Sequence, residues 1–185
     1  MKRPRLGGVV SRSGGEDACD GASEPRQATC QTGPSVATYE TRVHWTGSTG
    51  LGWKHYDRAH VATAPPAEQE VRITTGESKG DPAILNPEQL VLMAASSCQM
   101  MVFLHLAAKA RIDVVEYEDS ATALMPTDQE PIRITEITLR PRIVVSGDAS
   151  EQRVHKLADS AHQHCFVANS LNSQMTLQPT VEVLT

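Results

Sequence analysis

The sequence predicts an α+β domain in which helices pack on β-sheet. Three observations support this prediction: alternating segments on either side of the middle of the chain, one long helical segment between them, and an amphipathic helix near the C-terminus. The resulting order is strands, long helix, strands, helix and strand, which is typical of helices laid on antiparallel sheet. We therefore expect an α+β fold with antiparallel sheets.

Residues 1–36 differ in composition from the rest of the chain. They are rich in Gly, Ser, Asp, Glu, Pro and Gln and contain few bulky apolar side chains, so they bury too little surface to offset the entropy of ordering. We predict a disordered N-terminal extension over residues 1–36 and a folded domain over residues 37–185. Cys19 and Cys30 lie in this extension, and we expect no role for their thiols.

Three short strands are expected at the start of the domain. In the segment Tyr39–Trp45, every second residue falls on the same side of a strand, and a turn rich in glycine follows. Further strands are predicted around Tyr56–Thr63 and Val71–Thr75. Strands joined by tight turns form antiparallel meanders, so we expect a three-stranded meander here.

A long helix is predicted from Pro87 to about Arg111. Asn86, Pro87 and Glu88 provide an N-cap, a first-turn proline and a first-turn acid. Apolar residues recur at three- and four-residue steps and form one stripe along the helix: Leu90, Met93, Ala94, Met101, Leu104 and Ala108. The other faces of the helix are apolar as well, which is typical of a buried central helix.

The second half of the domain is predicted to contain strands, a helix and a last strand. Alternation indicates strands at Asp113–Leu124 and Ile132–Ser146, and helical spacing of apolar residues indicates an amphipathic helix from Ser150 to His164. We expect a helical turn at Phe166–Leu171 and a final strand at Thr180–Leu184.

The composition argues against two classes of partner. The 185 residues carry a formal net charge of −5, with only 17 Lys and Arg and 4% aromatic residues, which does not suit a nucleic-acid groove. The best candidate for a membrane span is interrupted by polar residues such as Ser96, Gln99 and His105, so we do not expect a membrane protein. The N-terminal region has no apolar secretion segment, and the predicted location is the cytoplasm.

Cys98 and Cys165 are the thiols most worth testing as a redox pair. Cys98 lies about three turns into its helix, beyond the reach of the N-terminal dipole, so activation requires a neighbouring cation. Arg58 and His105 are the candidates. The alternative is that Cys98 is a small apolar residue in a helix contact, that Glu88 is only a first-turn charge and that Arg58 is a solvated strand residue.

Glu88 precedes Cys98 by ten residues on the same helix. That separation is a rise of about 15 Å, so an arginine contacts both only if the helix packs beside another copy of the chain. If Arg58 is that arginine, Glu88 orients the guanidinium and Arg58 stabilises the thiolate, and the spacing then indicates a site at a dimer interface.

A metal site at His162, His164 and Cys165 is not expected. Imidazole and thiolate are good zinc ligands, but three ligands within four residues of a regular helix cannot all face one ion. No second cluster in the sequence supplies the remaining ligands, so we predict neither metal nor cofactor.

Three sequence features together resemble the OsmC/Ohr family of thiol peroxidases. They are the helix start Asn86-Pro87-Glu88-Gln89-Leu90, Cys98, and the segment His164-Cys165-Phe166-Val167-Ala168-Asn169-Ser170. The resemblance covers roughly Tyr39 to the C-terminus. It implies an OsmC-like fold, an intertwined homodimer with two interfacial active sites, and reduction of organic or inorganic hydroperoxides without metal or flavin.

The resemblance also implies roles for four residues. Cys98 corresponds to the peroxidatic thiolate, and Cys165 to the resolving thiol that forms a Cys98–Cys165 disulfide. An external dithiol, lipoyl-type in the organic-hydroperoxide branch, then reduces that disulfide. Glu88 matches the carboxylate that positions the catalytic arginine, for which we select Arg58 over Arg42.

A hydroperoxide is expected to enter an apolar pocket beside Cys98. We predict that Met100, Met101 and Phe103 line this pocket, although such residues more often belong to a plain core. Cys98 would attack the peroxide oxygen, and Arg58 would stabilise the developing alkoxide.

Two other functions are compatible with the sequence. The first is a non-catalytic dimeric binding or structural protein on the same fold, in which both thiols serve packing. The second is a hydrolase or acyltransferase that uses Cys98 with His105, but the helical rise of about 10 Å between them is too long for a direct hydrogen bond. Rapid peroxide-dependent loss of two thiols distinguishes the peroxidase from both.

Overall fold

The computed structural model describes residues 36–50, 52–76 and 79–184. All of its helices and strands belong to the compact unit Tyr39–Thr185. The predicted extension over residues 1–36, with Cys19 and Cys30, lies outside the described residues apart from Val36.

The N-terminal meander forms as predicted, with shorter strands. Strands β1 (Arg42–His44), β2 (His60–Thr63) and β3 (Glu70–Ile73) pair in the order β1-β2-β3, and both pairs are antiparallel. All three residues of β1 are exposed in the single chain. Arg58, which we expected on the second strand, lies in the loop just before β2.

The connection between the meander and the long helix runs from Thr74 to Asn86. The backbone N–H of Thr74 donates to the carbonyl oxygen of Leu85 at 2.8 Å, which anchors the segment before the helix to the end of β3. Gly80 lies in this connection, and a Cβ atom built on it would lie 2.1 Å from the Thr75 carbonyl oxygen. Only glycine fits this close approach.

Helix α1 (Pro87–Lys109) begins at the residue that the sequence predicts. The side chain of Asn86 accepts from the backbone N–H of Gln89 at 2.8 Å, and the Gln89 side chain accepts from the N–H of Asn86 at 3.0 Å. This capping box satisfies two of the free donors at the helix start. The helix ends where Arg111 takes a left-handed conformation at φ 56°.

The expectation that α1 is buried all round is wrong for the single chain. Its buried residues follow one narrow stripe, Ala95, Gln99, Phe103 and Ala107, and the exposed apolar residues include Met93, Met101 and Leu104. The reason is that the single chain packs only one face of α1, chiefly against the second helix.

By length and composition, α1 is apolar enough to cross a membrane, with a mean hydropathy of 1.8 over its best window. No other helix in the described part of the chain meets that criterion. The criterion alone is weak evidence for a span, because helices in the cores of water-soluble proteins also meet it.

Six further strands form two sheets beside the helices. The strands are β4 (Asp113–Asp119), β5 (Thr122–Leu124), β6 (Glu136–Leu139), β7 (Pro141–Ser146), β8 (Gln174–Leu177) and β9 (Thr180–Leu184). They pair in the orders β4-β7-β9 and β5-β6-β8.

The prediction of purely antiparallel sheets is wrong. Strands β6 and β8 pair in parallel, and so do β7 and β9. The crossover that contains the second helix separates the strands of each parallel pair in sequence, and parallel pairing requires such a crossover. The two long strands predicted between residues 113 and 146 are each divided into two shorter strands that belong to different sheets, and β8 was not predicted.

Helix α2 (Glu151–Gln163) supplies the other half of the core. It is capped by Ser150, as predicted, and buries Val154, Ala158 and Ala161. These residues form one cluster with residues of α1 and β7, including Phe103 and Ile143. A 3₁₀ turn at Ala168–Ser170 follows, shorter than the predicted Phe166–Leu171.

Candidate functional site

Two reduced thiols meet where α1 packs against the end of α2. Cys98 lies on α1 and is partly exposed, whereas Cys165 follows α2 and is fully buried. Burial raises the pKa of the Cys165 thiol, the backbone N–H of Ala168 lowers it, and a side-chain hydrogen bond with Cys98 raises it further. The fold therefore places the two sulfurs next to each other.

Hydrogen bonds within the segment after α2 hold Cys165 in place. The backbone N–H of Cys165 donates to the carbonyl oxygen of His162 at 3.2 Å, and its own carbonyl oxygen accepts from the N–H of Asn169 at 3.0 Å. The Asn169 side chain donates to the Gln163 carbonyl oxygen at 3.0 Å, which ties the 3₁₀ turn to α2. The Asn and the buried Cys of this motif thus have a structural reason to occur together.

Cys98 opens into an apolar cavity of about 660 Å³. Two imidazoles, His105 and His164, line this cavity, and Phe166 lies at its edge with 78% of its surface exposed. The remaining lining residues are Ala94, Ser97, Met101, Val102 and Leu106.

The predicted pocket lining is correct for Met101 and wrong for Met100 and Phe103, which do not line this cavity. Phe103 is fully buried on the opposite face of α1, where its ring centroid lies 5.7 Å from that of Tyr117. Successive residues of an α-helix are about 100° apart, so residues three, four and seven positions after Cys98 share its face, whereas a residue five positions later does not.

Arg58 and Glu88 line a separate cavity of about 450 Å³ between the meander and the start of α1. The Arg58 guanidinium donates to the carbonyl oxygens of Tyr56, at 3.1 Å, and Trp53, and it stacks over the Tyr56 ring at 4.1 Å. Arg42 does not line this cavity, because it lies on the exposed strand β1.

Arg58 and Glu88 share this cavity without forming an ion pair. The ion pairs found among the described residues join Arg142 to Glu116 and to Glu182.

The single chain thus brings the predicted site residues together as two separate pairs. Cys98 neighbours Cys165, and Arg58 faces the same cavity as Glu88. Within the described ranges, no residue lines both cavities. The separation agrees with the rise of about 15 Å between Glu88 and Cys98 along α1.

The sequence did not predict that His164 lines the Cys98 cavity. It offered His164 as a candidate metal ligand and as part of the segment around Cys165, whereas the structure places the side chain in the lining of that cavity. In the part of the chain that the structure describes, no group of three His, Cys, Asp or Glu residues is arranged to hold a metal ion. The signal that was available is position, because His164 directly precedes the second thiol.

The sequence also did not predict that Tyr117 lies near Cys165. Its buried hydroxyl has no hydrogen-bond partner in the described structure. Burial raises the pKa of Tyr117, and the nearby Asp119 carboxylate and Cys165 raise it further. The phenol is therefore neutral beside the thiol pair.

The mixed α+β fold and two neighbouring thiols, partly exposed Cys98 on the longest helix and buried Cys165 after the second helix, define a dithiol protein. The family model described as OsmC-like protein matches residues 79–180 of the chain. That match covers more than half of the sequence, and the protein belongs to the OsmC-like family. The predicted resemblance to the OsmC/Ohr family is thereby confirmed.

Solved structures of related fold support this assignment. An OsmC-like protein of unknown function from Vibrio cholerae is 26% identical with a TM-score of 0.71, over 78% of this chain and 100% of that one. An organic hydroperoxide resistance protein, OsmC, from Legionella pneumophila is 15% identical with a TM-score of 0.60, over 81% of this chain and 100% of that one.

The organic hydroperoxide resistance protein OhrB of Bacillus subtilis is 16% identical with a TM-score of 0.54, over 79% of this chain and 98% of that one. At such identities, the Legionella and Bacillus structures show a shared fold. Comparison with curated proteins finds no match.

Proposed function

We propose that this protein is a cysteine-based peroxidase that reduces organic hydroperoxides, and also inorganic ones, through Cys98 and Cys165. The observation that carries the proposal is the contact between two reduced thiols, one at an apolar cavity and one buried behind it. Membership of the OsmC-like family supports it, as does the fold shared with proteins named organic hydroperoxide resistance proteins.

The proposed cycle has two steps on the protein. The Cys98 thiolate attacks the terminal oxygen of the hydroperoxide, so that an S–O bond forms, the O–O bond breaks and an alkoxide leaves, which takes up the proton lost by the Cys98 thiol and becomes the alcohol. The Cys165 sulfur then attacks the sulfur of the Cys98 sulfenic acid, so that the S–S bond forms, the S–O bond breaks and the hydroxide leaves as water with the proton of the Cys165 thiol. An external dithiol, of the lipoyl type, supplies the two electrons that restore both thiols. Such a cycle suits a reducing compartment such as the cytoplasm.

We further propose that the working form is a homodimer in which Arg58 and Glu88 of one subunit complete the site at Cys98 of the other. Two features support this arrangement. Arg58 and Glu88 form their own cavity apart from Cys98, and α1 presents exposed apolar side chains such as Met93 and Met101, the latter 64% exposed. Exposed apolar surface of this kind typically marks an interface.

Arg58 in that position stabilises charge on the thiolate and on the leaving oxygen. A guanidinium presents several donors in a fixed plane, and Glu88 orients it by a charge-assisted contact. Because Arg58 already stacks on Tyr56, its side chain is partly preorganised for this role.

The test is a single-turnover thiol assay with intact mass. Cumene hydroperoxide or hydrogen peroxide is added to the full chain carrying Cys19→Ser and Cys30→Ser, so that only the two thiols of interest are counted. We expect rapid loss of both thiols as a Cys98–Cys165 disulfide. In a further Cys165→Ser variant the reaction stops at a sulfenic acid, and in Cys98→Ser it does not start.

The alternative is a non-catalytic dimeric binding or structural protein in which both thiols serve packing. The complete burial of Cys165 among core residues favours it, because buried cysteines are commonly inert. If Cys98 reacts with peroxide no faster than a free thiol does, this alternative replaces the peroxidase.

A further inference from the structure

His164 shares the apolar cavity with Cys98, and one of its ring nitrogens is held by a hydrogen bond. It caps α2 and lines the apolar cavity together with Cys98. Its Nδ1 atom lies 2.7 Å from the carbonyl oxygen of Ser160. A carbonyl oxygen only accepts hydrogen bonds, so Nδ1 carries the proton and Nε2 of the neutral ring keeps its lone pair.

The second imidazole at the cavity, His105, is less well placed. It lies seven residues after Cys98 on the same helix, which is a rise of about 10 Å along α1. His164 instead approaches Cys98 from a different element. The residue that follows it, Cys165, already has its thiol against that of Cys98.

We propose that His164 is the proton-transfer residue of this site: its Nε2 atom takes the proton of the Cys98 thiol and returns it to the leaving oxygen. This inference rests on the peroxidase function proposed above. It gives His164 a role distinct from that of Arg58, which stabilises charge but exchanges no proton.

The proton and the electrons balance within the site. Transfer of the thiol proton to His164 leaves the Cys98 thiolate, which attacks the terminal oxygen of a hydroperoxide, ROOH. The S–O bond forms as the O–O bond breaks, and the electron pair of the broken bond leaves on the alkoxide. The His164 imidazolium protonates this alkoxide, so the products are the Cys98 sulfenic acid, the alcohol ROH and neutral His164.

The titratable groups around His164 come from two elements. Across the cavity, α1 presents Cys98 and His105. On its own side, the Cys165 thiol follows in sequence and the Ser160 carbonyl oxygen holds Nδ1. In the proposed dimer, Arg58 of the partner subunit adds a positive charge, which favours the thiolate without removing the need for a proton acceptor.

The experiment compares His164→Asn with wild type, both in the full chain. Asparagine keeps a donor for the Ser160 carbonyl oxygen but has no group at the position of Nε2. His105→Asn tests the other imidazole of the cavity, and His155→Asn, on α2 but outside the cavity lining, is the matched control. Two rates at Cys98 are measured from pH 5.5 to 9.5 by mass: oxidation by cumene hydroperoxide and alkylation by iodoacetamide.

We expect His164→Asn to slow oxidation at pH 7 about 100-fold, which is within the usual range for general acid–base catalysis. Alkylation falls less, because it needs the base but not the returned proton. The pH profile of the oxidation rate in the variant differs in shape from that of wild type, because the group that takes and returns the proton is missing. His155→Asn leaves both rates unchanged.

Two results overturn the inference while the peroxidase function stands: wild type is oxidised rapidly and His164→Asn matches it at pH 7, or His105→Asn alone produces the loss. If wild type is oxidised no faster than a free thiol, the peroxidase function fails. The alkylation profile then decides separately whether His164 accepts the Cys98 proton.

Discussion

Cys165 shows how a single residue combines packing with chemistry. It is fully buried, its thiol faces Cys98, and the hydrogen bonds of its own backbone keep it from moving. A buried thiol ionises less readily, which would protect Cys165 from direct oxidation while the partly exposed Cys98 reacts in the proposed cycle. The same burial makes the stability of the protein depend on pH.

We predict that the free energy of unfolding falls as pH rises above about 8.5, the ordinary value for a thiol. Burial raises the pKa of Cys165 in the folded state, so in this range the unfolded chain ionises more readily than the folded protein. The stabilisation is complete below the unfolded pKa and is lost at up to about 1.4 kcal/mol per pH unit. Tyr117, whose pKa is also raised, adds a loss of the same sign at still higher pH.

Urea denaturation under reducing conditions between pH 7 and pH 10 measures this effect, at a fixed protein concentration. Cys165→Ala should remove the part of the slope that begins near pH 8.5 and leave the part due to Tyr117. Equal slopes for Cys165→Ala and wild type would show that the Cys165 thiol does not carry the dependence.

At the scale of secondary-structure elements, the two ends of α1 fix where this helix begins and stops. The capping box at Asn86 fixes where the helix starts and therefore places Glu88 beside the meander. At the other end, Arg111 adopts a left-handed conformation, and the N–H of Ile112 donates to the carbonyl oxygen of Ala107 at 3.0 Å. That pattern is a Schellman motif, in which glycine is the usual residue.

Arg111→Gly should raise the free energy of unfolding by about 0.5–1 kcal/mol, because glycine takes the left-handed conformation without a Cβ clash. Chemical denaturation measures the change. Lys109→Gly, two residues earlier within the helix, is the matched control and should lower stability by about 1 kcal/mol. A destabilised Arg111→Gly variant would mean that the arginine side chain contributes more than its backbone conformation costs.

In the connection before α1, a glycine is already present and its replacement is expected to destabilise the protein. Gly80→Ala should lower the free energy of unfolding by about 1–3 kcal/mol, because the new methyl group collides with the Thr75 backbone. Gly76→Ala in the same connection is the control, since its Cβ would meet only Asn86 Nδ2 at an ordinary 3.8 Å. Thermal unfolding of both variants measures the difference, and equal effects would contradict the close approach at Gly80.

At the scale of the whole molecule, one chain contains all the proposed catalytic groups but does not assemble them. The thiol pair and the Arg58–Glu88 pair line different cavities, and the apolar face of α1 between them is exposed. A symmetric dimer that covers this face is the simplest way to join the pairs, because a two-fold axis creates two equivalent sites.

Subunit mixing tests this arrangement. Arg58→Ala and Cys98→Ser are each expected to be inactive alone, yet a mixed dimer contains one site with both Cys98 and Arg58 intact. Exchange of equal amounts should restore about a quarter of the wild-type peroxidase rate, since half of the dimers are mixed and each has one working site.

The matched control mixes Cys98→Ser with Cys165→Ser. The two thiols meet within one chain, so a mixed dimer has no complete pair and should stay inactive. Restoration in the control but not in the first mixture would mean that the arginine acts within its own chain and that the thiols pair between chains.

Local signals in the sequence predicted the helices and the meander well. The start of α1 was predicted from Asn86, Pro87 and Glu88, which act within one turn, whereas the part that the Gln89 side chain plays in the capping box was not predicted. Helix α2 begins after Ser150 as expected, for the same reason. The choice of Cys98 and Cys165 also came from the sequence, through motifs around each residue rather than through any evidence that they touch.

Only the tertiary structure decided the parallel pairing of β6 with β8 and β7 with β9, the burial of Phe103 away from the cavity, and the place of His164 in the lining of the Cys98 cavity. These features depend on which face of α1 meets α2 and on where the chain returns after the crossover. Capping, turns and hydrophobic periodicity depend on residues that are close together in sequence, so they can be predicted from short segments. Contacts between residues far apart in sequence are settled by how whole elements pack, which no short segment specifies.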